Sequence, residues 1–324
     1  MKYTILIVSL ICIVSATAID LQPLQAQSYP SYPIQLVIPG APGDAVDISA
    51  RSVAEELAKI LKITIVPVNK PGGGAMVATD FVAKGKKDGY TLLYAMSSGL
   101  IYSPAMSPET VPYDPLRDVE PLGRHVTFPG VLSVQAESPW KTFTEVIEYS
   151  RKNPGKFRCG SLGIGAITHF QLEMIKSVTA TDITFIPFKG ASPAVTALLG
   201  GHIESTLVGV VLSQPHFQSG KLRGVLLDEK VADLPDIPTL RELGYEMDLP
   251  ISWFGFFAPA GIPDDAKKVL VPAIERAIKT PELAGKLQKL WYITNYKSPA
   301  ELKQVLVENY EKIRAMAKKM GLTK

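Results

Sequence analysis

The sequence predicts an α/β fold in two lobes with a crevice between them. One observation is an alternation of strand-length apolar runs, small-residue loops and helical periodicity that begins at Ile34. Another is that the series restarts near Val131. The third is length. The chain has 324 residues, and about 300 remain once an N-terminal leader is set aside, which suits two cores of ordinary domain size better than one.

The leader comes first. Lys2 supplies a positive start, and residues 3–14 are apolar apart from Thr4, Ser9 and Cys12. Ala16-Thr17-Ala18 follows as a small-residue cleavage site, and Leu24-Gln25-Ala26 offers a second. A signal peptide is expected within residues 1–26, cut after Ala18 or Ala26, with the mature start between Ile19 and Gln27. The run is shorter than the ~20 apolar residues of a spanning helix, so an uncleaved anchor is the weaker reading. Cys12 lies inside the apolar run behind bulky Ile11, which disfavours a lipid anchor. No later stretch is long and apolar enough to span, so a soluble exported protein is expected.

Composition narrows the partners. A formal charge of +3, one of it from Lys2, argues neither for nucleic acid nor for an anionic membrane surface. Cys159 would be the only cysteine of the mature chain, so no intramolecular disulfide is expected despite the oxidising compartment. Its setting between Phe157 and Gly160 favours a buried structural thiol over a nucleophile.

The elements follow in order. After a proline-punctuated lead-in, residues 34–38 read as a largely buried strand, ended by Pro39-Gly40-Ala41-Pro42-Gly43. Val46, Ala50, Val53, Leu57 and Leu61 then recur at helical spacing, with Asp44 and Asp47 both placed to cap that helix. The unit repeats as a strand over 63–68, a loop over 71–74 and a helix over 75–84. A strand over 90–95 and the loop Met96-Ser97-Ser98-Gly99 come next. Such alternation predicts a parallel sheet with covering helices, whose crevice lies beyond the carboxyl ends of the strands.

The second series has a strand at 131–134 and a helix capped by the Thr142 to Glu145 box. Strand 157–160 leads through Ser161 to His169 into a helix carrying Phe170, Met174 and Val178. Strand 183–187, loop 188–190, helix 194–199 and strand 203–208 complete it, and 222–227 reads as the return crossing. Helices are expected over 266–279, 282–290 and 301–319, the last capped by the Ser298 to Glu301 box. The expected lobes are 27–130 with 223–324, and 131–222.

Each glycine-bearing loop opens a helix, whose first amides lack partners and carry partial positive charge. Glycine lets that backbone approach a ligand closely. Two such ends facing across a cleft would hold an anion without any lysine or arginine.

These residues resemble the tripartite tricarboxylate transporter receptors, also called the Bug family. The likeness runs through Tyr32-Pro33-Ile34, Leu36-Val37-Ile38-Pro39, Pro42-Gly43 and Asp47, then Asn69-Lys70-Pro71-Gly72-Gly73-Gly74 and Asp88-Gly89-Tyr90-Thr91. It continues in Pro112-Tyr113-Asp114-Pro115, Asn153-Pro154-Gly155-Lys156, Thr168-His169, Pro187-Phe188-Lys189-Gly190 and Leu198-Leu199-Gly200-Gly201. Leu234-Pro235-Asp236-Ile237-Pro238-Thr239, Trp253-Phe254-Gly255 and Ala258-Pro259-Ala260-Gly261 close a series that spans nearly the whole mature chain in order.

The resemblance implies a two-lobed periplasmic binding protein, type II-like, that closes on its ligand like a Venus flytrap. It implies a small organic acid as ligand, mono- or dicarboxylate and aromatic acids included, and integral membrane transporter subunits as partners. A monomer without cofactor or metal is expected. Carried over by position, it nominates Gly43, Asp47, Ser97, Ser161, Gly165, Thr168 and His169, with Phe188, Lys189 and Gly190 behind them.

Two departures stand out. Asp44 follows Gly43 where the family usually has a second glycine, and an outward helix cap is the expected role that avoids repelling an acid. Leu162, Ala166 and Ile167 stand where small hydroxyl residues are common, which suggests a less polar ligand such as an aromatic or short-chain monoacid.

Competing readings are weaker. His169 has no orienting carboxylate evident nearby in sequence, which favours a structural histidine over a catalytic base. Ser161 lacks a Gly-x-Ser-x-Gly frame, because Cys159 stands at its first position. Gly163 and Gly165 fall short of a dinucleotide fingerprint, and His125, His202 and His216 are dispersed without metal-ligand spacing. Trp253, Phe254, Phe256 and Phe257 read as core or hinge packing rather than a stacking platform. A transport receptor is therefore the first expectation, with a ligand sensor signalling through a membrane partner second and an exported enzyme third.

Overall fold

The computed structural model describes residues 29–323. The leader, with Cys12, Ala18 and Ala26, lies outside the described residues. Two sheets organise the rest, one in each lobe.

The first sheet starts with β1 (Ile34–Ile38), whose apolar run is buried on both faces, Val37 in one core and Ile34, Leu36 and Ile38 in the other, because helices cover the sheet on each side. Helix α1 (Ala45–Leu61) covers it with Val46, Ala50, Val53 and Leu57, as the spacing predicts. β2 (Ile65–Asn69) and β3 (Thr91–Met96) lie parallel to β1 on either side. Between them runs α2 (Met76–Ala83). A π-helical turn at Ser98–Tyr102 leads into the one-turn α3 (Ser103–Met106). Then β4 (Val119–Phe128) carries the chain out of the lobe.

Pro129 alone separates β4 from β5 (Gly130–Gln135), which opens the second sheet. Helix α4 (Phe143–Lys152) begins at the expected capping box, with Thr142 accepting from the Glu145 amide. β6 (Arg158–Leu162), α5 (Ile167–Thr179), β7 (Thr184–Phe188), α6 (Ala191–Leu199) and β8 (Ser205–Gly209) follow, then α7 (Val210–Gln218) and β9 (Leu222–Leu227). The sheet order is β7-β6-β8-β5-β9. β9 pairs along its length with β5, so the chain returns after Leu227 rather than at Leu222.

The return runs along β10 (Ser252–Pro259), which lies antiparallel between β3 and β4. Helices α8 (Asp264–Ile278) and α9 (Pro281–Gln288) follow, then the edge strand β11 (Ile293–Lys297) and α10 (Pro299–Lys319). The first sheet has the order β11-β4-β10-β3-β1-β2. It is mixed, where the alternation of elements predicted a parallel one. Strands that leave and re-enter a lobe across one gap run in opposite senses, so β10 opposes β3 and β4. β5 likewise opposes β8. The tail helices pack on the first lobe, α8 on α1 and β4, and α10 on β4 and α3.

Trp253, Phe254, Phe256 and Phe257 are all buried, in the core. Cys159 is fully buried, and burial pushes its thiol up to about 12, which keeps it protonated and inert. No helix among the described residues is long and apolar enough to cross a membrane.

Candidate functional site

The carboxyl ends of β1, β3 and β6 converge where the lobes meet. The loop after β1 is shaped first by glycine. Gly43 has φ +82°, and a Cβ on Gly40 would lie 2.3 Å from Val46 Cγ1. Asp47 then fixes the loop. Its Oδ2 accepts from the Gly43 amide at 2.9 Å, while Oδ1 accepts from Asn69 Nδ2 and Arg51 Nε, each at 2.8 Å. Asn69 Nδ2 also donates to Gly40 O at 3.0 Å. Asp47 is thereby committed to the loop itself.

Asp44 corrects the expectation of an outward cap. Its side chain makes no capping bond to α1 and is 2% exposed. It crosses the cleft to the first turn of α6. Oδ1 accepts from the Ser192 amide at 2.7 Å and the Ser192 hydroxyl at 2.6 Å. Oδ2 accepts from the amides of Ala41 at 2.9 Å and Ala191 at 3.3 Å. Gly190 permits this approach, since a Cβ there would stand 2.6 Å from Asp44 Oδ2. The physical reason is electrostatic: a carboxylate at the start of a neighbouring helix gains orphan amides and the dipole, which its own helix does not supply in this geometry.

The lobes also touch through backbone. Ser103 Oγ sits 3.1 Å from Gly74 O and 3.0 Å from Gly165 O, and the Ile167 amide donates to Ser98 Oγ at 3.1 Å. A Cβ on Gly74 would come within 2.9 Å of Ile164 O in the opposite lobe. Glycine at these loops is what lets the two backbones meet.

Between the lobes lies an enclosed cavity of about 20 Å³, the room of one water. Its walls include Met96, Phe128, Leu162, Val208 and Phe254, with Asp44, Thr168, Gln171 and Ser252 as polar members. Thr168 is 5% exposed, and its hydroxyl has no partner among the described residues; the Gln171 carbonyl oxygen is in the same state. Beside this cavity an open groove of about 760 Å³ runs along the lobe boundary, lined by Gly163, Gly165, His169, Phe188, Lys189 and Glu109 among others.

The nominated residues therefore fall into three places. Gly43, Thr168 and Gly190 meet at or beside the enclosed cavity. Gly165, His169, Phe188 and Lys189 line the groove. Asp47, Ser97 and Ser161 are buried and line neither, with the Ser161 hydroxyl donating to Leu207 O. His169 stacks on Phe185 at 4.3 Å between centroids, and its Nδ1 accepts from the Gly165 amide at 3.3 Å. Its Nε2 lies 3.8 Å from Glu173 Oε1, one turn on, so a carboxylate does stand beside it where the sequence reading saw none. Burial lowers its pKa, against the pull of Glu173. Gln171 and Ser192 escaped the sequence reading. Gln171 lies three residues beyond Thr168 on one helix face, the spacing that could have found it. Among the described residues no group of three His, Cys, Asp or Glu side chains is placed to hold a metal.

The model of a family described as the tripartite tricarboxylate transporter family receptor matches residues 49–322. BugT of Bordetella pertussis is 32% identical over 257 residues, 79% of this chain and 79% of BugT. The structure of the periplasmic binding protein BugD superposes with a TM-score of 0.87 at 29% identity, covering 91% of this chain and 100% of that one. MatC of Rhodopseudomonas palustris, solved with bound malate, gives a TM-score of 0.83 at 25% identity, over 89% of this chain and 100% of that one.

Proposed function

This chain belongs to the tripartite tricarboxylate transporter receptor family, and from that premise we propose that it captures a small carboxylate between its lobes and delivers it to membrane transporter subunits. The observation that carries this reading is the Thr168 hydroxyl, buried and unpartnered on the wall of the interlobe cavity. It stands in the first turn of α5, where backbone amides are free of intrahelical acceptors. Ala45 and Val46, in the first turn of α1, line the same cavity from the other lobe. An anion placed there gathers donors from both lobes, so binding and closure are one event. Malate in MatC supports a carboxylate as that anion. The apolar wall selects acids with a short aliphatic or aromatic body. The leader-like N-terminus and the periplasmic placing of BugD support a periplasmic location.

A thermal-shift screen of short-chain, dicarboxylic and aromatic acids tests the reading. A ligand at 100 times its dissociation constant adds about 2.7 kcal/mol of stability. Saturable stabilisation without product formation is expected. Turnover of any acid, or no stabilisation by the whole set, would overturn it. Cells lacking the protein should lose uptake of the stabilising acid, and unchanged uptake would argue for a sensor instead.

A further inference from the structure

Resting on the carboxylate-receptor reading, we infer that Asp44 is a built-in carboxylate that occupies the anion-receiving start of α6 and thereby sets the site for ligands with one carboxylate. The geometry is that of a bound anion. Four donors converge on the two oxygens of Asp44, three of them from backbone amides and one from Ser192 Oγ. Two donors per oxygen fill the acceptor sites of a carboxylate, so none remains for an amine on the ligand. Gly190 is shaped to the same contact, as no side chain could stand there without displacing the carboxylate.

The cavity's remaining donors include the first turns of α1 and α5 with the Thr168 hydroxyl, and the hydroxyl of Ser252. The opposite wall, with Met96, Phe128, Leu162, Val208 and Phe254, is mainly apolar and offers no cationic side chain to a second charge. A cavity of about 20 Å³ has room for one water, so it admits an acid only when the lobes part. A ligand with a second carboxylate must compete with Asp44 for the amides of Ala191 and Ser192, against like charge. A ligand with one carboxylate does not. Asp44 also ties the lobes directly, so it favours closure before any ligand arrives.

Isothermal titration with acids matched in length, hexanoate against adipate and butyrate against succinate, reads the selectivity. The wild type should prefer the monoacid at least tenfold. Asp44→Gly should gain at least tenfold for the diacid, because the vacated amides receive its second carboxylate. Asp44→Asn, which keeps the shape and drops the charge, should lie between. Equal wild-type affinity for both acids, or an unchanged ratio in Asp44→Gly, would overturn the inference. Small-angle scattering of the unliganded proteins separates this from the underlying reading. Asp44→Gly should have a larger radius of gyration than wild type, and identical radii would refute the tie even if no acid bound. If neither protein binds any acid while the radii differ, the carboxylate reading fails and so does the selectivity, but the tie stands.

Discussion

The Thr168 hydroxyl has no protein partner in the cavity wall, and a buried hydroxyl left unsatisfied costs about 1–3 kcal/mol. Removing it should therefore not harm the fold. Thr168→Val keeps the shape and should leave stability unchanged or higher in urea melts. If the hydroxyl receives the ligand, affinity for the best acid should fall about tenfold, near 1.4 kcal/mol. Loss of stability with unchanged affinity would remove Thr168 from the site. At this scale the sequence named residue types better than their roles. Thr168 was nominated by its position in the family resemblance, not by any local spacing. Asp44 was misjudged, because its partners Ala191 and Ser192 lie 147 and 148 residues away in the chain. No local spacing encodes a contact that only closure of two lobes creates.

Elements were legible where a helix or strand has one wet face or two dry ones. The periodicity of α1 and the capping boxes at Thr142 and Ser298 reappear in the structure. β4 was not legible, since Glu120, Pro121, Gly123, Arg124 and His125 break any alternation. It forms because neighbours on both sides complete its ladder, with bulges against β10. The loop after β1 is the element that most directly positions the site, and its demand is conformational. Gly43 has open space around it, the nearest atom to an added Cβ being 4.0 Å away, yet its φ is +82°. Gly43→Ala should thus cost about 1–2 kcal/mol through backbone strain alone. Asn, which tolerates that region better, should cost less. Chemical denaturation of the two variants checks the order, and equal losses would point to a steric cause instead.

Across the whole molecule, both crossings between lobes meet at one buried carboxyl group. Asp228 is the first residue after β9 and is 7% exposed. Its Oδ1 accepts from the amide of Gly130, the first residue of β5, at 2.7 Å. Its Oδ2 accepts from Gln171 Nε2 at 2.9 Å, and the same nitrogen donates to Pro250 O, just ahead of β10, at 2.7 Å. Burial raises its pKa to about 8, against the donors from Gly130 and Gln171 and with help from the charge of Glu229. The folded hinge therefore holds a proton that the unfolded chain, with an aspartate near 3.8, has already released. Between those two values the native state binds more protons, so stability falls as pH rises, by up to about 1.4 kcal/mol per pH unit for one group. This contribution is fully present below pH 3.8 and is lost as pH passes through 8. Asp228→Asn supplies a neutral side chain of the same shape and should remove that slope. Urea melts at pH 5, 6, 7 and 8 should then show the wild type losing ground steadily to the variant. Parallel curves would mean that Asp228 is ionised at neutral pH, held by its two donors rather than by a proton.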